Sequence, residues 1–305
     1  MTPDRLAKWR PAETLPAITG AAAAFLSVAG AKVVLHSPMW CAAITEMRLE
    51  AWGIPCEWLF STFVEENDLF FGGEEALRQT LLEARVAKGD ALLGVAVNCA
   101  LALIGDDVRG ICTVFAPGVP VAVAEAGGFT GEFDDGYGKA FLAVLEALRP
   151  GPCPPTPGTV NLIGFSPLEE HAAENLAEIK RQLFWRGIEV HLTFGAPGTT
   201  VESVREAGRA AFNVVLHEGR GEAIAAWFQE HLGQPSIFAP LSDAANKKKR
   251  PTRRHRGRFA YGKKALIHAA PHFGASFPPF LCQVTDFVLS VLSFIMPFSI
   301  AKPSE

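Results

Sequence analysis

Two cysteines, Cys41 and Cys99, occupy positions in the sequence that favour a chemical role. Each follows the predicted carboxyl end of a β-strand: Cys41 opens a predicted helix, and Cys99 lies where the strand stops and a loop begins. In open α/β sheets, ligands bind outside the carboxyl ends of the strands, so both thiols are placed where chemistry takes place. In a parallel sheet those ends share one edge, and two thiols 58 residues apart can converge on one ligand there. The alternative is that both are buried structural cysteines, because free cysteine is among the most buried residue types.

Cys99 is positioned by the stretch 94–107, around which the chain is organised. The apolar run at 91–97 predicts a buried parallel strand that ends just before the cysteine. Gly105 and the two aspartates after it predict the start of a helix, because carboxylates there can accept hydrogen bonds from free backbone N–H groups. Since they follow the strand end that carries Cys99, Gly105 and Asp106 are candidate cofactor-binding residues.

Cys41 is positioned by a predicted strand at 32–36 and by the helix that follows it, which ends at Gly53. A second short strand is predicted at 54–60, and it contains Cys56. Cys56 is a candidate third metal ligand. Core packing is the alternative for a cysteine inside a strand.

A glycine-rich loop at 125–138 follows the predicted strand at 119–124, and five glycines fall between residues 127 and 138. Because glycine has no Cβ, such a loop can bring its backbone close to a ligand. Gly127 and Gly128 are therefore candidate cofactor-binding residues, and a simple turn is the alternative. A helix predicted at 139–148 closes this part of the chain.

Length and composition indicate a globular protein of about two domains. The chain has 305 residues, and 49% of them are hydrophobic, which is enough for a sizeable core. The six cysteines form no C-x-x-C pair, which argues against a zinc ribbon and against a disulfide-stapled secreted domain. The polar N-terminal segment 1–13 does not resemble a signal peptide, so we expect a reducing cytoplasm.

A proline-rich segment at 150–157 is the clearest boundary in the chain. It predicts a Rossmann-like domain at 1–150 that carries the candidate ligands, and a second Rossmann-like domain at 151–240. In the second, predicted strands at 159–164, 188–194 and 212–217 alternate with predicted helices at 169–186, 200–210 and 221–233. The fold class expected is α/β, with consecutive Rossmann-like domains and right-handed, parallel sheets.

With these pieces in order, the chain resembles the component 1 family of nitrogenase-type oxidoreductases. That family comprises the α and β chains of the nitrogenase molybdenum–iron protein, their cofactor-assembly homologues and the dark-operative tetrapyrrole reductases. The motifs that carry the resemblance are H-S-P-M-W-C (family H-G-P-x-G-C), V-E-E-N-D-L-F-F-G-G-E-E-A-L, V-N-C-A-L-A-L-I-G-D-D-V, G-G-F-T-G and V-N-L-I-G. They occur in family order over roughly residues 15–240.

The resemblance implies a cofactor and partners. Cys41 and Cys99 correspond to ligands of an iron–sulfur cluster, [4Fe–4S] or larger, that is shared across a subunit interface. Because a cubane cluster needs about four thiolates, the missing ligands would come from a homologous component 1 subunit in a homo- or heterodimer. The family also implies electrons supplied by an ATP-dependent iron–sulfur reductase protein. The alternative function is a non-catalytic scaffold or cofactor-assembly protein of the same fold.

The chain departs from the family at three points. The first cluster cysteine of the family would fall near Leu15 and Pro16, where no cysteine stands. The thiolate that holds the family's substrate-reducing cofactor falls on His217, which is either an iron ligand or a hydrogen-bonded surface residue. A third Rossmann-like domain would begin near residue 241, where the sequence stops resembling the family. Its absence suggests a truncation or a shifted reading frame and favours the scaffold function.

The tail differs from the body in charge. Residues 1–243 carry 17 basic against 30 acidic residues, and residues 244–305 carry 11 against 2. The basic run at 247–264 is compatible with nucleic acid or anionic lipid, and the apolar stretch at 277–301 approaches the length of a membrane span. Asp286 lies inside that stretch and is costly in a bilayer. We expect no nucleic-acid partner, no membrane anchor, and a poorly ordered tail at 241–305 that packs little against the body.

Overall fold

The computed structural model describes residues 15–129 and 131–239. The helices are α1 (Ala17–Leu26), α2 (Met39–Ala51), α3 (Asp68–Phe71), α4 (Glu74–Glu83), α5 (Cys99–Ile104), α6 (Val108–Phe115), α7 (Phe133–Leu148), α8 (Ala172–Phe184), α9 (Val201–Arg205) and α10 (Glu218–Leu232), with a 3₁₀ turn at Ala207–Arg209. The strands are β1 (Ala31–His36), β2 (Leu59–Ser61), β3 (Leu92–Val97), β4 (Val121–Glu125), β5 (Thr156–Ile163), β6 (Glu189–Thr193), β7 (Ala210–Val215) and β8 (Ser236–Phe238). The predictions for the tail at 241–305 lie outside the described residues.

The strands form two parallel sheets of four strands each, so the predicted α/β class is confirmed. The first sheet has the order β2-β1-β3-β4 and the second has the order β6-β5-β7-β8. Counted from the first strand of each sheet, the two orders are the same. In both sheets the strand that comes first in the chain is flanked by the second and third strands, and this requires helical crossovers between parallel neighbours.

The central strands are apolar because both of their faces are covered. All six residues of β3 are buried, as expected for a strand with layers of helices on both sides. Gly94 lies in the middle of β3, where a Cβ would clash with the ring of Phe25 on α1. Glycine at this point lets α1 lie close against the sheet.

Helices α1 and α7 pack backbone against backbone at two glycines. A Cβ on Gly20 would clash with the carbonyl of Phe133, and a Cβ on Gly136 would clash with that of Ala17. This close contact explains a correction to the predicted helix at 139–148. The helix starts at Phe133 instead, because its glycines serve packing and do not form a loop.

One hydrophobic core is continuous between the two sheets. The Tyr137 ring on α7 lies 5.1 Å from that of Phe141, which meets Phe194 edge to face at 5.6 Å. The Tyr137 hydroxyl donates a hydrogen bond of 2.5 Å to the carbonyl of Phe165. Helix α7 therefore packs against elements of both halves, and the division at 150–157 stays a prediction.

The structure differs from the predicted strands at two further points. Cys56 lies in the loop before β2, because that strand begins only at Leu59. Strand β8, which the sequence analysis did not predict, adds a fourth strand beside β7. Within 15–129 and 131–239, no helix combines the length and the hydropathy that a membrane crossing requires.

Candidate functional site

Cys41 and Cys99 lie beside one edge of the first sheet. Strands β1 and β3 are parallel neighbours, and their last residues, His36 and Val97, are paired in register. The chain enters α2 shortly after β1, with Cys41 as the third helical residue, and it enters α5 after β3, with Cys99 as the first. Because both helices start at the carboxyl ends of adjacent strands, their first turns are neighbours.

One side chain, Asn98, contacts both thiols. Its Nδ2 donates to the sulfur of Cys41 at 3.2 Å, and its Oδ1 accepts from the sulfur of Cys99 at 3.4 Å. The same Oδ1 accepts from the backbone N–H of Ala100 at 2.9 Å, so Asn98 is also the N-cap of α5. The two cysteines that the sequence analysis singled out are thus brought together through one amide group.

Both thiols are free and half-buried. Burial raises the pKa of the Cys41 thiol, and the nearby Cys99 raises it further. The hydrogen bond from Asn98 acts in the opposite direction on the same pKa, because an N–H donor stabilises a thiolate. A bound cation would have the same effect as the donor, since a coordinating thiol is deprotonated outright.

Gly127 packs directly on Cys99, whereas its neighbour Gly128 faces open space. A Cβ on Gly127 would stand 2.6 Å from the Cα of Cys99, and a Cβ on Gly128 would meet nothing within 4 Å. Of these two glycines, only Gly127 packs against Cys99. The roles of Gly127 and Gly128 in binding a cofactor stay predictions.

Gly105 and Asp106 have structural partners. Gly105 ends α5 in the left-handed conformation, with φ 85°. The carboxylate of Asp106 accepts hydrogen bonds of 2.9 Å from His36 Nε2 and from the backbone N–H of Gly73. It therefore links the end of β1 to the start of α4, beside the sheet edge at which Cys41 and Cys99 lie. A role for either residue in cofactor binding stays a prediction.

Cys56 is half-buried and packs against the hydrophobic core. Its thiol donates to the carbonyl of Ile54 at 3.5 Å. Burial, with the carboxylates of Glu50 and Glu46 adding to it, raises the pKa of this thiol to about 11. A thiol in an apolar and acidic setting is a poor ligand without a cation nearby. These contacts favour core packing, and the role as a third ligand stays a prediction.

His217 lies at the matching edge of the second sheet, as the N-cap residue of α10. Its Nε2 is 3.7 Å from a carboxylate oxygen of Asp134. The neighbouring guanidinium of Arg220 is buried, pairs with Asp134 at 3.4 Å and with Glu169, and donates to the carbonyl of Gly164. The structure thus places His217 beside a charged network, and its role as an iron ligand stays a prediction.

Exposed apolar side chains surround the cysteine edge. On α2, Trp40 is 73% exposed and shares a helix face with Ile44 and Met47, at spacings of four and three residues. The short helices α3 and α5 pack against each other. Together they expose four large apolar residues: Phe70, Phe71, Leu103 and Ile104. Large exposed apolar patches mark surfaces that bind other molecules.

The donor set at the cysteine edge suits half of an iron–sulfur cluster. Among the described residues, no group of three or more histidine, cysteine, aspartate or glutamate side chains is arranged to hold a metal ion. Two converging thiols are soft ligands and fit iron in such clusters. They supply about half of the thiolates that a cubane needs, so such a cluster would need further ligands beyond these two.

Sequence analysis did not identify Asn98 as a residue of the site. A usable signal was present, because asparagine directly before a helix start is a preferred N-cap residue. The cap fixes the side chain at the carboxyl end of β3, between the two cysteines. What the sequence could not provide is the direction of the amide toward Cys41, which depends on how α2 lies beside α5.

Comparison with known proteins places these features in one family. The sequence model of the family described as "Nitrogenase component 1 type Oxidoreductase" matches residues 16–246. The nitrogenase iron-molybdenum cofactor biosynthesis protein NifE of Nostoc sp. is 29% identical over 234 residues, which cover 72% of this chain and 46% of that protein. One of the subunits of the light-independent protochlorophyllide reductase of Rubrivivax gelatinosus is 31% identical over 153 residues, which cover 46% of this chain and 28% of that protein.

A solved structure shares the fold. "Nitrogenase Cp1 at pH 6.5" superposes with a TM-score of 0.60 at 23% sequence identity, covering 77% of this chain and 47% of that chain. The nitrogenase molybdenum-iron protein alpha chain of Clostridium pasteurianum is 28% identical over 185 residues, which cover 59% of this chain and 34% of that protein. The chain thus spans about half the length, or less, of the curated relatives that it matches.

Proposed function

Because this chain belongs to the nitrogenase component 1-type oxidoreductase family, we propose that it acts as a component 1-like subunit of a redox complex. In this proposal Cys41 and Cys99 hold an iron–sulfur cluster, [4Fe–4S] or larger, together with thiolates of a second subunit. The observation that carries the proposal is the convergence of the two thiols on Asn98 at the carboxyl edge of the first sheet.

The residues around the two thiols would hold and shield such a cluster. A bound cluster supplies one-electron redox chemistry. Cys41 and Cys99 would each give up a proton and bind iron through sulfur. Gly127 lets the backbone pack close against Cys99, and the hydrogen bond between Asp106 and His36 holds the end of β1 in place. Free thiols of this kind persist where thiol buffers keep them reduced, which makes the cytoplasm the proposed compartment.

The second subunit is a component 1 homologue or a second copy of this chain. Two thiols per chain require a partner to complete about four ligands. The face of α2 that carries Trp40, Ile44 and Met47 begins one residue from Cys41 and is apolar and exposed. A partner that covers this face would bury the tryptophan and bring its own ligands to the same point.

The apolar patch on α3 and α5 is the proposed docking surface for an ATP-dependent iron–sulfur reductase. Cys99 is the first residue of α5, and Leu103 and Ile104 are its last two. Six residues of helix span about 9 Å. A protein that docks at this end of α5 would therefore place its own redox centre near the cysteine edge, as transfer of electrons requires.

A second function is favoured by one of the relatives. The Nostoc protein that this chain resembles at 29% identity is named for cofactor biosynthesis. In the alternative proposal, this chain is a scaffold or assembly protein with the family's fold and performs no turnover. The two functions differ in whether a redox-active cluster stays bound.

Metal analysis of the full chain tests the proposal. The protein is purified without oxygen and reconstituted with ferrous iron and sulfide, and its iron and acid-labile sulfide are measured per chain. We expect about four iron atoms per dimer at least, and a reversible change of the visible spectrum with dithionite. Cys41→Ser and Cys99→Ser should each abolish the bound iron. The matched control Cys153→Ser, which alters a half-buried cysteine outside the site, should retain it.

A colourless protein that stays free of iron after reconstitution would contradict the redox function and favour the scaffold. Bound iron that survives both Cys41→Ser and Cys99→Ser would contradict the assignment of the ligands. A third result would support the assembly function. In it, a cofactor-biosynthesis protein of the same family is added to the iron-loaded chain, and the iron moves from this chain to the added protein.

A further inference from the structure

We propose that Asn98 is a positioning residue that holds Cys41 and Cys99 together as one two-thiol site and donates an N–H···S hydrogen bond to the sulfur of Cys41. The joining of the two thiols stands on the geometry of the described residues alone. The consequence for a bound cluster rests on the proposed function. Asn98 lies one residue before Cys99 and 57 residues after Cys41.

The backbone determines the direction of the Asn98 amide. The N–H of Ala100 can only donate, so the atom of the amide that lies 2.9 Å from it must be the oxygen. The nitrogen then points the other way, to the sulfur of Cys41 at 3.2 Å. Since an amide NH₂ group has no acceptor, this contact can only be a hydrogen bond from nitrogen to sulfur.

The same oxygen gives the two thiols different partners. Oδ1 lies 3.4 Å from the sulfur of Cys99 and can accept from its S–H group, whereas Cys41 receives a donor. The Asn98 side chain is buried, and its backbone N–H donates to the carbonyl of His36 at the end of β1. Asn98 is therefore fixed at both ends, and α2 and α5 are joined through its amide group.

An N–H···S hydrogen bond also affects a metal centre. Hydrogen bonds to the sulfurs of an iron–sulfur cluster are among the factors that set its reduction potential. The donor offsets negative charge on the ligating sulfur and so favours the reduced cluster. We expect a cluster held by Cys41 to have a higher reduction potential with Asn98 than without its donor.

Three variants separate the cap of α5 from the contact with Cys41. Asn98→Ser and Asn98→Asp both retain an oxygen that can accept from Ala100, because serine and aspartate are good N-caps. Neither has an N–H group that reaches Cys41. Asn98→Ala removes both functions. If Asn98 were only a cap, the serine variant would behave as the wild type in every thiol measurement.

The metal-free protein is tested with phenylarsine oxide, a trivalent arsenical that bridges two close thiols. Two As–S bonds replace the bond between arsenic and oxygen, and the oxygen leaves as water with the two thiol protons. The oxidation state of arsenic does not change. Bound arsenical is located by protection of individual cysteines from iodoacetamide, and its affinity is measured by competition with a small dithiol.

We expect one arsenical per chain on Cys41 and Cys99, and about ten-fold weaker binding in Asn98→Ser, the loss expected for one hydrogen bond. Asn98→Ala should bind no better than the serine variant, while its melting temperature falls further. The control Cys153→Ser should bind as the wild type does. Equal affinity in the wild type and Asn98→Ser, with unchanged melting temperatures, would overturn the positioning role.

The reconstituted protein gives a second and separate readout. The midpoint potential of the cluster, followed by EPR at controlled potentials, should be lower in Asn98→Ser than in the wild type. An unchanged potential would overturn the N–H···S contribution even if the arsenical result holds. A protein whose affinity for the arsenical depends on Asn98, but which takes up no iron, would contradict the proposed function and leave the positioning role standing.

Discussion

The two sheets of this protein have the same strand order but different chemistry at their carboxyl edges. After β3 the N-cap residue is Asn98, and at the equivalent point after β7 it is His217. Around Asn98 lie two half-buried thiols. Around His217 lies a network of Asp134 and Arg220 with other charged groups.

The two edges differ in the interactions that their polar side chains form with one another. In the second sheet the guanidinium of Arg220 is 2% exposed and is occupied by two carboxylates and the Gly164 carbonyl. In the first sheet the thiols of Cys41 and Cys99 have one amide between them. The polar groups of the second edge form ion pairs, whereas the two thiols of the first edge form hydrogen bonds to one amide.

The largest effect on stability is expected at the second edge. Arg220→Met removes the positive charge between Asp134 and Glu169 and should lower the free energy of unfolding by about 3 kcal/mol, because breaking a buried ion pair leaves its partner charge behind. Urea denaturation of the metal-free protein measures this change. The control Arg209→Met breaks a surface pair with Glu206 and should cost less than about 0.5 kcal/mol.

A loss below about 1 kcal/mol in Arg220→Met would contradict a stabilising role for the ion pairs at the second edge. At the first edge we expect a smaller change in the free energy of unfolding. Cys41→Ser in the metal-free protein should change the free energy of unfolding by less than Arg220→Met does, because the thiol of Cys41 joins no ion pair there.

The next largest effect is expected at Gly127. A methyl group in Gly127→Ala would press on Cys99, so we expect a loss of about 1–3 kcal/mol in the free energy of unfolding, the cost of overpacking. Arsenical binding by Cys41 and Cys99 should weaken with it. The control Gly128→Ala adds a methyl group into open space and should leave both measurements unchanged. Equal effects of the two variants would refute the close packing of Gly127.

The fold was predictable where local signals and tertiary packing agree. The apolar run before Cys99 and the turn after it predicted β3 and α6, because a buried parallel strand and a capped helix start have strong local patterns. Asp107 indeed caps α6 through the N–H of Gly110. The convergence of Cys41 and Cys99 followed from one rule, that carboxyl ends of parallel strands share an edge.

The remaining features depend on contacts between distant residues. Gly136 was assigned to a loop because glycine disfavours helices, yet it lies inside α7, where the backbone of Ala17 leaves no room for a Cβ. The carboxylate of Asp106, whose role in cofactor binding stays a prediction, is paired with His36, 70 residues away. No local pattern reports a partner at that distance.

A smaller difference between the halves concerns helix caps. The N-cap residue of α9, which follows β6, is Thr200. Its side chain accepts from the N–H of Ser203, and the Ser203 side chain accepts from the N–H of Thr200. The N-cap residue of α4, which follows β2 and the short α3, is Gly73 and provides no side-chain cap. Thr200→Ala should cost about 1 kcal/mol in urea denaturation, and Thr200→Ser should restore most of it. A neutral Thr200→Ala would show that α9 is held by packing alone.

The smallest effect expected is a dependence of stability on pH that comes from His36 at the first edge. Burial lowers the pKa of His36 below its ordinary value of about 6.5, and the hydrogen bond and charge of Asp106, with the charge of Asp68, oppose this only in part. In the folded protein the ring stays neutral at a pH where the unfolded chain already binds a proton. Stability therefore falls as the pH drops below about 6.5 and is recovered as the pH rises.

Between pH 7 and pH 6, one such group lowers the free energy of unfolding by less than about 0.7 kcal/mol. Urea denaturation at both pH values, in the wild type and in His36→Gln, isolates this contribution, since glutamine can still donate to Asp106 but does not titrate. The exposed His171 provides the control, and His171→Asn should retain the slope of the wild type. If His36→Gln also keeps that slope, then burial does not lower the pKa of His36 in the folded protein below its value in the unfolded chain.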